Sequence, residues 1–173
     1  QVTNAGTTPL LIACKKGHAK VAALLVDQGA NIEQTKSDGA TPLFMACQEG
    51  HLKIAALLVE KGANIDLATN DGFTPLFMAC QKGNLKIAAL LVDKGANIDQ
   101  AMNDGSTPLF MACYKAHLKV AALLLDKGAK IDQANNKGTT PLFMACQNGH
   151  SKIAALLMNK RAKIDQARND GGT

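Results

Sequence analysis

A cysteine and a histidine stand four residues apart at four places in the sequence, in the pairs Cys14/His18, Cys47/His51, Cys113/His117 and Cys146/His150. Thiolates and imidazoles are zinc ligands, so each pair could supply half of a tetrahedral zinc site. The pattern is broken once, because Asn84 stands in place of histidine four residues after Cys80. In three pairs a glycine that can end a helix falls between the two residues, at Gly17, Gly50 and Gly149. We therefore interpret the cysteines as small buried packing residues and predict neither a metal ion nor another cofactor.

Other catalytic patterns are missing from the sequence. It contains no phosphate-binding glycine loop and no nucleophile elbow. The Asn-Asp-Gly turns do not make a calcium loop, because Gln100 and Met102 occupy places where an EF-hand needs oxygen ligands. Without a clustered nucleophile and base, the sequence predicts a protein that is not an enzyme.

The five prolines and the five cysteines each recur every 33 residues. This period divides the 173 residues into five units, at 3–35, 36–68, 69–101, 102–134 and 135–167. The second and third units are identical at 26 of 33 positions. Such self-similarity is the signature of a repeat architecture. We expect one domain over residues 1–173, in which residues 168–173 begin a sixth, truncated repeat.

Each unit reads as a turn followed by two helices. Thr41-Pro42 predicts a helix start, since threonine caps the first amides and proline has no N–H to satisfy there. Gly50 predicts the end of that helix, and a second helix is expected from His51 to Lys61. Turn residues such as Asn-Asp-Gly predict a β-turn or hairpin between units. Helices this short bury their apolar faces only by stacking, so the fold predicted is a mainly α solenoid.

The motifs within one unit resemble the ankyrin repeat. They are Thr41-Pro42-Leu43, Ala46, Gly50-His51, Leu57-Leu58 and Gly62-Ala63, and the resemblance covers essentially the whole chain. One departure is systematic: where the family usually has histidine after Thr-Pro-Leu, this chain has Leu11, Phe44, Phe77, Phe110 and Phe143. The resemblance implies a hairpin plus an antiparallel helix pair per repeat, and a non-catalytic protein-protein interaction module.

The resemblance also implies a concave binding surface built from hairpin tips and first-helix ends. The tip positions among the expected partner-binding residues are Asp38, Ala40, Asn70, Asp71, Phe73, Asn103, Asp104, Ser106, Asn136 and Lys137. The helix-end positions are Gln48, Glu49, Gln81, Lys82, Tyr114, Lys115, Gln147 and Asn148. Because exposed aromatic residues anchor interfaces, our hypothesis is that Phe73 and Tyr114 form the centre of the site. The alternative is two isolated exposed aromatics.

The net charge of +5 is not distributed evenly among the units, which carry about +1, −1, 0, +1 and +4. The second helices carry one equivalent lysine each, at Lys20, Lys53, Lys86, Lys119 and Lys152. We interpret this ladder as a solvated outer face, offset by acidic residues near the helix end such as Asp27 and Asp93. Neither concentrated charge nor interleaved aromatic residues is evident, so no nucleic-acid partner is expected.

Three further expectations concern the setting of the chain. No stretch of eighteen apolar residues exists, so membrane insertion is not expected. Neighbouring repeats lie roughly 8–10 Å apart, too far for disulfides between equivalent cysteines, and free thiols indicate an intracellular, cytoplasmic protein. The first and last repeats lack a polar outer face, and Ile153, Leu156 and Leu157 of the last favour end-to-end self-association.

Two alternatives to a dedicated binding module remain open. High identity between units also fits an engineered or consensus-like scaffold, or a spacer without a partner of its own. The chain could equally be a regulatory segment of a larger enzyme. The identity of a partner is not encoded in the fold, since one fold hosts many functions.

Overall fold

The computed structural model describes residues 6–166, within which the chain forms ten short α-helices and no strand. They are α1 (Pro9–Lys16), α2 (Ala19–Asp27), α3 (Pro42–Glu49), α4 (Leu52–Glu60), α5 (Pro75–Gln81), α6 (Leu85–Asp93), α7 (Pro108–Tyr114), α8 (Leu118–Asp126), α9 (Pro141–Gln147) and α10 (Ser151–Asn159). The expected sixth repeat at 168–173 lies outside the described residues. None of the described helices is long and apolar enough to cross a bilayer.

Every first helix begins at the predicted Thr-Pro pair. Thr41 has extended backbone angles, and its hydroxyl accepts a hydrogen bond from the Phe44 amide at 3.0 Å. The same cap forms at Thr8, Thr74, Thr107 and Thr140. Because a threonine cap contributes about 1 kcal/mol, each of the five caps helps to fix where its helix begins.

Left-handed turns end the helices. Gly50 and Gly62 have φ angles of 82° and 87°, which a residue with a Cβ adopts only at a cost. Two repeats place other residues at these positions: Ala116 has φ 59° and Arg161 has φ 68°. These are the two strained turns between residues 6 and 166.

The helices stack in two layers. The first helices α1, α3, α5, α7 and α9 pack in chain order, α2, α4, α6, α8 and α10 form the second layer, and each repeat's two helices also pack together. The core lies between the layers, where Leu43, Cys47, Ile54 and Leu58 of the second repeat are at most 1% exposed. The solenoid predicted from the 33-residue period is confirmed.

Histidines at the start of the second helices connect neighbouring repeats. The Nε2 of His51 lies 3.1 Å from the Lys15 carbonyl, and the rings of His117 and His150 make the equivalent contact at 3.0 Å. A carbonyl only accepts, so each ring donates from Nε2. Asn84 replaces histidine in the third repeat and donates to the Cys47 carbonyl at 3.2 Å. The Cys/His spacing thus reflects stacking.

Acidic residues also join neighbouring repeats. Lys61 pairs with Asp27 at 3.0 Å, and equivalent 2.8 Å pairs join Lys127 to Asp93 and Lys160 to Asp126. This corrects the expectation that these aspartates offset the lysine ladder that begins at Lys20, because each is held by the lysine that ends the next repeat's second helix. These exposed pairs help to align neighbouring repeats more than they stabilise the fold, since such pairs contribute about 0–1 kcal/mol each.

The two end repeats expose apolar side chains. Ile12, Val21 and Leu24 of the first repeat are 45%, 48% and 65% exposed, and Met158 and Ile164 of the last are 47% and 72% exposed. The residues named from the sequence differ: Ile153 and Leu157 are buried, and Leu156 is half-buried. Cys146 is exposed, unlike its four buried equivalents, because no further repeat covers it among the described residues.

Candidate protein-binding groove

The turns before the first helices form a continuous edge. In the second repeat the Lys36 amide donates to the Ala40 carbonyl, and the Gly39 amide donates to the Lys36 carbonyl, both at 3.0 Å. The ammonium of Lys36 also binds the Asp38 carboxylate at 2.8 Å, and this hydrogen bond lowers the pKa of Asp38 below its usual value. The turn is therefore rigid before any partner arrives.

An asparagine ladder joins successive turns. The amide N–H of Asn70 donates to the Asp38 carbonyl at 3.0 Å, while its side-chain amide donates to the Ser37 carbonyl at 3.0 Å. Asn103 and Asn136 repeat both contacts with the preceding turn. These three asparagines, which the sequence proposes as partner-binding residues, have a structural role in holding the tips together, and they remain exposed.

Most of the expected binding residues are accessible. Those exposed are Asp38, Glu49, Asn70, Asp71, Lys82, Asn103, Asp104, Tyr114, Lys115, Asn136, Lys137, Gln147 and Asn148, while Gln48 and Gln81 are half-buried. Two are not: Ala40 and Ser106 are each 2% exposed. Both were expected at hairpin tips, but each directly precedes the capping threonine, where the chain has already turned toward the core.

The expectation that Phe73 is an exposed aromatic is also wrong. Phe73 is half-buried and packs against the core, with its ring edge-on to Phe77 at a centroid distance of 5.4 Å and an interplanar angle of 62°. Tyr114 is 38% exposed, and the Lys115 ammonium lies 4.7 Å from its ring centroid. The two aromatics therefore have different environments, and a joint binding role for them stays a prediction.

An open groove of about 520 Å³ runs between the turns and first helices of the fourth and fifth repeats. Its lining comprises Asp104, Ser106, Phe110, Met111, Tyr114, Asn135, Lys137, Thr139, Met144, Gln147 and Asn148. We call it the repeat-4/5 groove. Met111 and Met144, both half-buried, together with Phe110 form its apolar part, while charged and amide groups come from the turns and helix ends. Adaptable methionines beside polar groups suit a peptide or protein side chain.

The sequence reasoning missed the apolar part of this groove. Phe110, Met111, Asn135 and Met144 were not proposed as site residues, although methionine recurs at equivalent positions every 33 residues. That recurrence was available as a signal. A methionine next to a buried phenylalanine is normally expected to be a core residue, which is why these methionines were not proposed. Met45 and Met78 in earlier repeats are indeed buried.

The cysteines lie apart from this groove. All five are free, and burial raises the pKa of Cys14 and Cys113 to about 12 and raises that of Cys47 and Cys80 as well. A buried protonated thiol is a poor nucleophile and a poor metal ligand. Over residues 6–166, no cluster of three or more histidine, cysteine or acidic side chains is placed to hold a metal ion.

Comparison with known proteins gives one result for the family. The family model described as ankyrin repeats matches in three copies, over residues 1–69, 63–135 and 99–170. No curated protein matches the sequence. The matched ranges together span nearly all of the chain, and they include both the groove and the stacked core.

Proposed function

The chain belongs to the ankyrin-repeat family, and from that premise we propose that it is a non-catalytic protein-interaction module whose partner binds in the repeat-4/5 groove. Ankyrin repeats are generally protein-protein interaction modules. The observation that carries the proposal is the groove itself, where Phe110, Met111 and Met144 form an apolar floor between the fourth and fifth repeats.

The groove fits a partner segment with one apolar side chain flanked by polar groups. The sulfur-containing side chains of Met111 and Met144 adapt to different apolar shapes. Tyr114 lies beside them with its hydroxyl-bearing ring already covered on one face by Lys115. Lys137 and Asp104 supply one charge of each sign at the turns. Apolar centres with polar surroundings are the usual anatomy of an interface.

The neighbouring repeat provides a matched control for this proposal. Gln81 occupies in the third repeat the position of Tyr114 in the fourth, so it serves as the control position. The experiment first selects binders of the intact chain from a library of displayed peptides. We expect Tyr114→Ala to weaken the selected peptides at least tenfold, as for an interface anchor, and Gln81→Ala to leave them within about twofold. Equal effects of the two variants, or no selectable peptide, would refute the proposal.

The alternatives predict different outcomes. A scaffold or spacer without a partner yields no peptide that depends on Tyr114. A regulatory segment of a larger enzyme yields such a peptide, and the sequence of that peptide then resembles a segment of the catalytic part of the same protein. The free cysteines support placing the chain in a reducing, intracellular setting, which cysteine-labelling in intact cells would test.

We also propose that two copies associate end to end. The first repeat exposes Ile12 and Val21 around a cavity of about 400 Å³, and the last exposes Met158 and Ile164 around one of about 520 Å³. Sedimentation at rising concentration should show dimers and longer head-to-tail oligomers, which Val21→Glu with Met158→Glu should dissolve. A monodisperse wild-type monomer at high concentration would contradict this second proposal.

A further inference from the structure

The positive charge of the molecule is concentrated on the edge where the two helices of each repeat join. This helix-turn edge comprises residues 15–20, 48–53, 81–86, 114–119 and 147–152. It contains nine of the chain's lysines and, as its single acidic residue, Glu49, so it carries +8. Because the whole chain carries +5, the remainder carries −3. Counting charge by repeat hides this separation, because the lysines recur at the same places within every repeat.

The lysines of this edge are available to a partner. They are Lys15, Lys16, Lys20, Lys53, Lys82, Lys86, Lys115, Lys119 and Lys152, and all nine are exposed. Within residues 6–166 none of them forms a salt bridge, whereas Lys36, Lys61, Lys127 and Lys160 elsewhere do. The charge of the edge is therefore not offset locally.

The edge is held in a fixed shape. The rings of His51, His117 and His150 and the amide of Asn84 bind carbonyls at the end of the preceding first helix. Gly83 also lies so close to His117 that an added Cβ would come within 2.6 Å of the ring. Lysines that follow these residues by two positions are consequently carried on a preorganised backbone, which reduces the entropy lost on binding.

The spacing of the edge suits one peptide conformation. Stacked helices repeat every 8–10 Å or so, which sets the separation of equivalent lysines. A polyproline II helix has three residues per turn and rises about 3.1 Å per residue, so every third side chain points the same way at intervals of about 9 Å. We propose that the helix-turn edge is a docking surface for an acidic protein segment in this conformation, with a carboxylate at every third residue.

A nucleic acid suits the edge less well. The positive charges of the edge are all lysines, whereas the planar guanidinium of arginine is the group best matched to phosphate. A strand of duplex carries a phosphate about every 3.4 Å, which is about three times as dense as the lysines. Tyr114 is the one aromatic residue of the edge, so a row of stacking platforms is missing there.

This docking surface borders the repeat-4/5 groove, but most of its lysines lie outside the groove. Tyr114, Gln147 and Asn148 belong to both, at their shared border. Lys53, Lys86 and Lys119 belong to the edge alone, so variants of these lysines test the edge without altering the groove. Failure of one proposal therefore leaves the other standing.

The test measures binding of a fluorescent peptide, Glu-Pro-Pro repeated five times, to the intact chain in low salt. The edge variant carries Lys53→Gln, Lys86→Gln and Lys119→Gln. The control carries Lys94→Gln, Lys130→Gln and Lys163→Gln, which removes the same charge from exposed positions off the edge. Circular dichroism establishes that both variants keep the helices. A peptide of the same composition with its five glutamates in one block, and a single-stranded DNA oligonucleotide of equal charge, complete the set.

We expect the edge variant to bind the peptide roughly tenfold more weakly and the control within about twofold, with affinity falling as salt rises, since exposed charges contribute modestly and are screened. The blocked peptide should bind several-fold more weakly than the spaced one. Equal losses in the two variants, equal binding of the two peptides, or no binding would overturn the proposal. Tighter binding of the oligonucleotide would overturn it as well and assign the edge to nucleic acid.

Discussion

The third and fourth repeats have the same helix arrangement and threonine caps, yet they differ at eight of 33 positions, among them one directly before the capping threonine, one at the end of the first helix and one in the turn after it. Phe73, Gln81 and Gly83 in the third correspond to Ser106, Tyr114 and Ala116 in the fourth. Phe73 lies against Phe77 and fills the space in front of its repeat, whereas small Ser106 lines an open groove. The comparison teaches that a few residues at the turns and helix ends change the surface while the stacking of the helices stays constant.

The largest expected effect lies beneath these surfaces. Phe77→Ala should cost about 3–5 kcal/mol of unfolding free energy, because Phe77 is fully buried. Phe110→Ala should cost less by about 0.5–1.5 kcal/mol, since Phe110 lines the groove and has no edge-on aromatic partner in the described structure. Urea denaturation of both variants measures the difference. Equal costs would remove the distinction between a filled repeat and an open one.

The next effect concerns the groove itself. Ser106→Phe should reproduce the third repeat's filled surface in the fourth and weaken groove-selected peptides at least tenfold. The helices should stay folded, because the same side chain is accommodated at residue 73 in front of nearly the same neighbours. Fluorescence anisotropy measures the affinity and circular dichroism the fold. Undiminished binding would place the peptides elsewhere.

The reverse change should have a smaller effect. Phe73→Ser removes a half-buried ring and its edge-on contact with Phe77, which should lower the unfolding free energy by about 1–2 kcal/mol. It should not affect peptides bound in the repeat-4/5 groove. A matched loss of affinity in this variant would instead support the hypothesis that Phe73 and Tyr114 act as one site.

The turns between helices give the smallest effect. Ala116→Gly should stabilise the chain by about 1 kcal/mol, because it relieves a positive φ of 59°. Gly83→Ala should destabilise it by at least as much, since the added Cβ would also meet the His117 ring. Thermal unfolding of the two variants should therefore shift in opposite directions. A shift of both in one direction would show that φ does not govern these turns.

Much of this fold follows from the sequence because its determinants are local. Thr-Pro pairs specify helix starts, glycines specify helix ends, and the 33-residue period specifies stacking. The surface was harder to predict. Whether Phe73 or Ala40 is exposed depends on whether the chain turns toward the core one residue earlier or later. The role of His51 depends on a contact with a carbonyl 36 residues earlier in the chain. Contacts between repeats form only when the repeats stack. Stacking also places the lysines of successive repeats along one edge.

The central claim is that a partner binds at the fourth repeat and not at the equivalent place in the third. Site-specific photo-crosslinking tests it directly, with a benzophenone side chain placed at position 114 in one protein and at position 81 in another. Incubation with a groove-selected peptide and illumination should give a covalent adduct at position 114 and at most a trace at position 81. Equal adducts at both positions, or a stronger one at position 81, would contradict the account.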